Sequence, residues 1–199
     1  DQFGGGHPDI HAVLAEAASL TDQAERNKLY GQANELLMQH VPMVPIAHGG
    51  SGTAFKAGVE GAHASPLGNE YFGVMELPGQ DTLVWMQNAE PISAYCADET
   101  DGETFRLCEQ VSESLLAYEV GGTAVQPGLA ESYEVNDDLT EWVFKLREGV
   151  KFHDGSDLDA ADVVASYEAQ WDAASPLHTG RDGNFTYFNA FFGAFKNAE

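Results

Sequence analysis

Basic residues are scarce in this chain: nine Lys and Arg stand against 32 Asp and Glu, for a formal net charge of -23. A field of that sign repels phosphate backbones and anionic headgroups, which excludes nucleic acid as a partner class. The same excess of carboxylates suits an exported protein or one from a salty environment, where repulsion is screened. Long hydrophobic runs are absent as well, and no stretch approaches the roughly 18 to 20 apolar residues that a bilayer-spanning helix needs. The chain starts at Asp1 with no Met and no basic-then-apolar leader. If the parent protein is exported, its signal segment is expected outside this chain. No nucleophile motif, cofactor loop or metal constellation stands out, so an enzyme is the class with least support and no cofactor is expected.

Cysteine is almost missing too. Cys96 and Cys108 are the two in the chain, and the segment between them holds Asp, Glu, Thr and Gly but no His. That argues for a disulfide over a metal site, and hence for an oxidising compartment. Two unpaired buried thiols are the alternative.

What the chain does contain is a core: 43% of its 199 residues are hydrophobic, enough for one or two domains. Ile10, Val13, Leu14 and Ala17 recur at the spacing of one buried helical stripe, which predicts a helix over Pro8 to Ala18. Asp22 opens a second helix as its cap, with Glu25 reaching back and Leu29, Ala33, Leu36 and Leu37 forming the apolar face until Pro42. Val41 to Ala47 alternates around two prolines and reads as an edge strand or an extended segment. Gly, Ser and Pro then punctuate the chain, with a turn at Gly49 to Gly52, a weak strand at Phe55 to Val59 and a junction at Pro78-Gly79-Gln80. Strands are expected over Thr82 to Gln87 and at Trp142, Phe144 and Leu146, with Val150 to Phe152 continuing the latter after a turn. Helices are expected over Thr104 to Leu116, with Cys108 inward, and after Asp159, which caps a helix burying Val163, Val164, Tyr167 and Trp171. Phe185 to Phe195 holds six aromatics, and if exposed they point to a missing partner surface. Helices interleaved with strands make a mixed α/β class.

Three stretches carry a family resemblance: Gly122-Thr-Ala-Val-Gln-Pro-Gly-Leu-Ala-Glu-Ser-Tyr-Glu-Val135, then Asp138-Leu-Thr-Glu-Trp-Val-Phe-Lys-Leu-Arg-Glu-Gly-Val-Lys-Phe-His-Asp-Gly155, then Leu158-Asp-Ala-Ala-Asp-Val-Val164. Together they resemble family 5 of the bacterial solute-binding proteins, which includes dipeptide-, oligopeptide- and nickel-binding proteins. The likeness runs from about Thr82 to Phe195 and corresponds to the amino-terminal part of such proteins. The first eighty residues resemble the other end: Asp9 to Ala18, Thr21-Asp-Gln-Ala-Glu-Arg-Asn-Lys-Leu-Tyr30 and Val41-Pro-Met-Val-Pro-Ile46 look like the family's carboxy-terminal helices and last core strand. The order is reversed, and the family's central region is absent.

The resemblance implies a partial type II periplasmic-binding-protein fold, mainly pieces of lobe I, with residues 1–80 as the carboxy-terminal part and 81–199 as the amino-terminal part. It further implies an extracytoplasmic, non-enzymatic protein that binds a solute, most simply a peptide, and passes it to the permease of an ABC importer. Because both chain ends pack into one lobe in the family, the two pieces are expected to complement each other if the connector near Pro78 to Asp81 spans their ends. The alternative is an interaction module, a duplicated half-domain that self-associates through the surface the missing lobe would cover.

For the site, the resemblance places the loop Thr100-Asp101-Gly102-Glu103-Thr104 beside the ligand cleft, where its carboxylates and backbone would hold an extended peptide or its amine and Gly102 would permit close approach. Read from residues alone, the same loop is an acidic turn capping the helix from Thr104. The run Asp98, Glu99, Asp101, Glu103 reads as a solvated face, and it lacks the spacing of a calcium loop. His153-Asp154-Gly155 reads as a turn, His7 and His11 as exposed histidines without a third metal ligand, and Trp85, Trp142 and Trp171 as core.

Overall fold

The computed structural model describes residues 6–47, 49–50 and 52–192. The chain forms two compact units, one of Asp1–Ser51 with Glu134–Val143 and the other of Gly52–Tyr133 with Phe144–Glu199.

In the first unit, α1 (Pro8–Ala18) and α2 (Gln23–His40) pack as an antiparallel pair, with Ile10, Ala17, Leu29 and Ala33 buried. The pair is tied at one end by His40 Nε2, 2.7 Å from Asp9 Oδ2. Asp22 caps α2 as expected, accepting from the Glu25 backbone N–H at 2.8 Å. Leu14 departs from the predicted stripe and is exposed. The stretch after α2 forms no strand over residues 41–47: Val41 takes left-handed backbone at φ 49° and residues 42–43 bend.

In the second unit, α3 (Gly102–Val111) begins two residues earlier and ends sooner than its periodicity predicts, because Ser112 leaves helical backbone and takes Leu115 out of the helix. Two short hairpins follow. Strand β1 (Leu116–Tyr118) pairs antiparallel with β2 (Val125–Pro127), opposing Ala117 to Gln126. Gly121 turns this hairpin with φ 71°, a conformation that costs glycine nothing. Strand β3 (Ala130–Val135) pairs with β4 (Trp142–Leu146), and the turn end of this hairpin, Glu134–Val143, belongs to the first unit. Then α4 (Ala160–Trp171) starts with a complete capping box: Asp159 accepts from the helix backbone while Asp162 accepts from the Asp159 N–H. Finally α5 (Thr186–Phe192) carries part of the aromatic run.

Several expectations are corrected. Thr82 to Gln87 forms no strand and joins no ladder among the described residues, leaving Val84 88% and Met86 92% exposed. Alternation predicts a strand's backbone, but a strand exists only where a neighbour supplies hydrogen bonds. Phe55 to Val59 forms no strand, and only an isolated bridge joins Glu60 to Glu76 nearby. After β4, Val150 to Phe152 likewise contributes a single bridge, between Lys151 and Asp157. Trp142 and Val164, both assigned to the core, face solvent, since each lies on a thin element with apolar cover on one side only.

The aromatic run is split. Phe185 and Phe188 are buried, the latter against Tyr167 and Trp171 of α4 at ring distances of 6.4 and 6.3 Å, whereas Phe191 stays exposed. Phe195 lies outside the described residues.

Candidate functional site

The site begins with α3 and what its amino terminus holds. Asp101 is the N-cap: its Oδ2 accepts from the Thr104 backbone N–H and from the Thr104 hydroxyl, each at 2.9 Å. These bonds keep the Asp101 carboxyl below the usual carboxylate range. Thr104 is fully buried, and its Oγ in turn accepts from the Ile92 backbone N–H at 3.0 Å. The loop thus braces the segment that runs up to Ile92.

One turn further along α3, Arg106 is committed in three directions. Its Nε donates to Glu70 Oε2 at 3.0 Å, one terminal nitrogen donates to the Gly68 carbonyl at 2.6 Å, and the other to Gln87 Oε1 at 3.3 Å. Glu70 is buried and Arg106 nearly so, which makes this a shielded ion pair. Gln110, four residues on and so on the same helical face, donates to the Glu70 carbonyl at 2.8 Å and accepts from the Phe72 N–H at 2.8 Å. A segment far upstream is therefore bolted to α3 by two side chains.

Between these groups lies an open cavity of about 670 Å³. Its apolar wall includes Phe72, Trp85, Met86 and Leu107, and its polar lining includes Gln87, Asn88, Glu90, Arg106 and Gln110. Trp85 is the centre of the wall, 4.8 Å from Phe72 and 5.7 Å from Phe55 between ring centroids, with the Arg106 guanidinium 5.9 Å from its own ring centre. A volume of that size, apolar with a few converging polar groups, is what a small-solute pocket requires.

On the other side of the loop, the disulfide joins Cys96 to Cys108 of α3, their Cα atoms 6.0 Å apart. Next to it, two acidic residues read as a solvated face are in fact buried, Asp98 at 3% and Glu99 at 2% exposure. Burial would raise the Asp98 carboxyl, but backbone N–H groups of Asp182, Gly183 and Phe185, at 2.9, 2.8 and 2.8 Å, outweigh it and hold the group below its ordinary value. Gly180 packs so tightly here that a Cβ would fall 2.6 Å from the Asp98 Cβ. Acidic residues in a run are solvated unless a partner appears, and these partners sit more than eighty residues away.

Of the loop residues singled out by sequence, Thr100 and Gly102 are exposed, Asp101 and Glu103 half-buried and Thr104 buried. The cavity lining is drawn from Trp85 to Pro91 and the middle of α3 instead. Trp85 was assigned to core packing, and Arg106 and Gln110 were passed over. Their signal was a polar pair four residues apart on one face of α3, roughly opposite Cys108. His153, Asp154 and Gly155 form a turn, with Asp154 Oδ1 accepting from the Ser156 N–H at 2.9 Å and Gly155 at φ 89°. His7 is half-buried against His40, their rings 4.7 Å apart, so it is not the freely exposed histidine expected. Among the described residues no three His, Cys, Asp or Glu side chains converge on a metal position, and no helix is long and apolar enough to cross a membrane.

Comparison with known proteins shows what the chain resembles. Residues 124–186, which lie between β2 and the start of α5, match the family described as bacterial extracellular solute-binding proteins, family 5 Middle. The chain is thus similar to family 5 solute-binding proteins. Among individual relatives, it is 34% identical over 117 residues to Heme-binding protein A of Haemophilus influenzae, covering 55% of this chain and 21% of that protein. It is 35% identical over 114 residues to the Dipeptide-binding protein of Escherichia coli, covering 54% and 21%. It is 35% identical over 113 residues to Di/tripeptide-binding protein 1 of Pseudomonas aeruginosa, covering 53% and 21%. The chain spans about a fifth of the length of these curated relatives.

Proposed function

We propose that this chain is the lobe I portion of an extracytoplasmic solute-binding protein of the type II fold, which captures peptides or similar small solutes for delivery to an ABC permease. The observation that carries the reading is the family match over residues 124–186 within a chain whose relatives are named for dipeptides, tripeptides and heme. The 670 Å³ cavity with its aromatic wall supports it, and no nucleophile and base are paired along that lining. In this reading residues 1–80 and 81–199 are the carboxy- and amino-terminal pieces of one lobe. The Glu70–Arg106 ion pair and the Gln110 bonds to Glu70 and Phe72 join residues 70–72 of the first piece to α3. The exposed members of the acidic loop, Thr100 and Gly102, together with Asp101, Glu103 and Thr104, form the rim of the ligand cleft.

A lone lobe leaves the cleft open to water and has no closed state for ligand to stabilise, so affinity is expected near the millimolar range, about half the free energy of a micromolar complex. Titrating the chain with a di- to pentapeptide mixture by calorimetry tests this. Saturable weak heat that disappears in a matched sugar titration supports peptide capture; absence of any saturable signal across peptides, metals, sugars and osmolytes removes the solute-binding role.

A second reading is favoured by a specific surface: the unladdered stretch whose Val84 and Met86 are nearly fully exposed. Such an edge is a template for pairing with another chain, which makes the protein a self-associating interaction module. Sedimentation at increasing concentration separates the two readings, since a monomer throughout counts against the module.

A further inference from the structure

The cavity lining holds two charged side chains of opposite sign, Arg106 and Glu90, and their circumstances differ. The Arg106 charge is cancelled by buried Glu70 at 3.0 Å, and its two terminal nitrogens are bonded to the Gly68 carbonyl and to Gln87 Oε1. Glu90 is exposed and takes part in no hydrogen bond or ion pair among the described residues. The lining therefore carries one uncompensated negative charge, in a chain whose formal net charge of -23 adds to the field at the cavity mouth. The same lining contains the Phe72 and Trp85 rings, 4.8 Å apart, and the electron-rich faces of such rings attract cations.

We propose that this cavity selects an organic cation, an amine carrying an apolar or aromatic group, with Glu90 as the counter-charge and the wall of Phe72, Trp85 and Leu107 receiving the apolar part. The assignment rests on the reading of the cavity as the solute site, and it narrows the solute class. A carboxylate solute meets a negative lining whose one cation is already paired, so it is disfavoured. Selection of this kind comes from the repelled competitor as well as from the accepted ligand. The contribution of Glu90 is that of an exposed charge pair, a few-fold in affinity, because water still reaches the open cavity.

The test is nitrogen-15 NMR titration of the 199-residue chain at low ionic strength with three probes that share a phenyl group: 2-phenylethylammonium, 2-phenylethanol and 3-phenylpropionate. Saturable shifts of the Gln87, Asn88 and Glu90 backbone amides report occupancy. The ammonium is expected to bind about threefold or more tighter than the alcohol, and the alcohol tighter than the carboxylate. Glu90→Gln is expected to remove most of the ammonium's advantage, and Glu90→Lys to reverse the order of the two charged probes. Glu148→Gln, which deletes an exposed carboxylate that does not line the cavity, is expected to leave the advantage intact. Equal binding of ammonium and alcohol to the unmodified chain overturns the charge selection and leaves the solute cavity standing. An ammonium preference that survives Glu90→Gln undiminished, or falls as much in Glu148→Gln, assigns the selection to the charge of the whole chain and overturns the role of Glu90. If no probe moves a cavity resonance in any variant, the solute site falls and its charge selection with it.

Discussion

Arg181 Nε donates to both carboxylate oxygens of Glu99, at 3.0 Å each, across 82 residues of sequence. Glu99 has no exposed side-chain surface, while Arg181 is 40% exposed, so one partner is captive and the other reaches it from the rim. Removing Arg181 strands a buried carboxylate, which is worse than removing both charges. Arg181→Ala is therefore expected to lower the melting temperature on the order of 5 °C, and Arg181→Ala with Glu99→Gln by less. A double mutant whose loss equals the sum of the losses from Arg181→Ala and Glu99→Gln made singly would show that the pair carries no coupling.

Asp98 sets the acid sensitivity of the same corner. Its folded pKa lies below its ordinary value of 3.8. The sign follows from linkage: a depressed folded pKa stabilises the fold fully above the unfolded value, and the contribution fades below about pH 4 and is lost as pH falls through the folded pKa. Asp98→Asn should flatten the acid limb of stability against pH below about 4 while costing about 2–4 kcal/mol at neutral pH, since the amide replaces a charge-matched acceptor. Denaturant melts from pH 2 to 7 check both effects. An unchanged acid limb in the variant would assign the pH dependence elsewhere.

The Cys96–Cys108 bridge closes a short loop, with a sequence separation of 12. Reducing it releases chain entropy worth roughly 3 kcal/mol. The double variant Cys96→Ser, Cys108→Ser should lower the unfolding free energy extrapolated from urea melts by roughly that amount, with a lower midpoint. Thiol titration of the denatured, unreduced protein should find no free thiol; two would rule out the bridge.

Thr104 joins Asp101 to Ile92 through a hydroxyl that donates to the former and accepts from the latter. Thr104→Val conserves shape but strands the Ile92 N–H, and it is expected to cost about 1–3 kcal/mol. Hydrogen exchange at Ile92 should accelerate more than exchange in the middle of α4. Uniform acceleration throughout would mean global rather than local loosening.

The local rules were legible where one segment decides its own conformation. Asp22 and Asp159 cap their helices as read, because an N-cap needs only the residue and the turn that follows it. Leu14, Trp142 and Val164 were misread because exposure depends on what packs opposite, which periodicity does not report. The first hairpin went unread since three-residue strands are too short to show alternation. In the site, Trp85 was noticed but taken for core, and Arg106 and Gln110 acquire meaning only from Glu70 and Phe72, more than thirty residues upstream.

From its sequence alone this protein is an acidic mixed α/β chain with two capped helices at known positions and a resemblance to solute-binding proteins. Charge, capping and periodicity are local or additive, so they survive without coordinates. Tertiary structure decided that Asp98 and Glu99 are buried anchors, that the acidic loop braces the Ile92 segment, and that Trp85 borders a cavity. Those outcomes depend on partners brought from distant chain positions, and a carboxylate or an indole takes its role from the donors and acceptors that folding places around it.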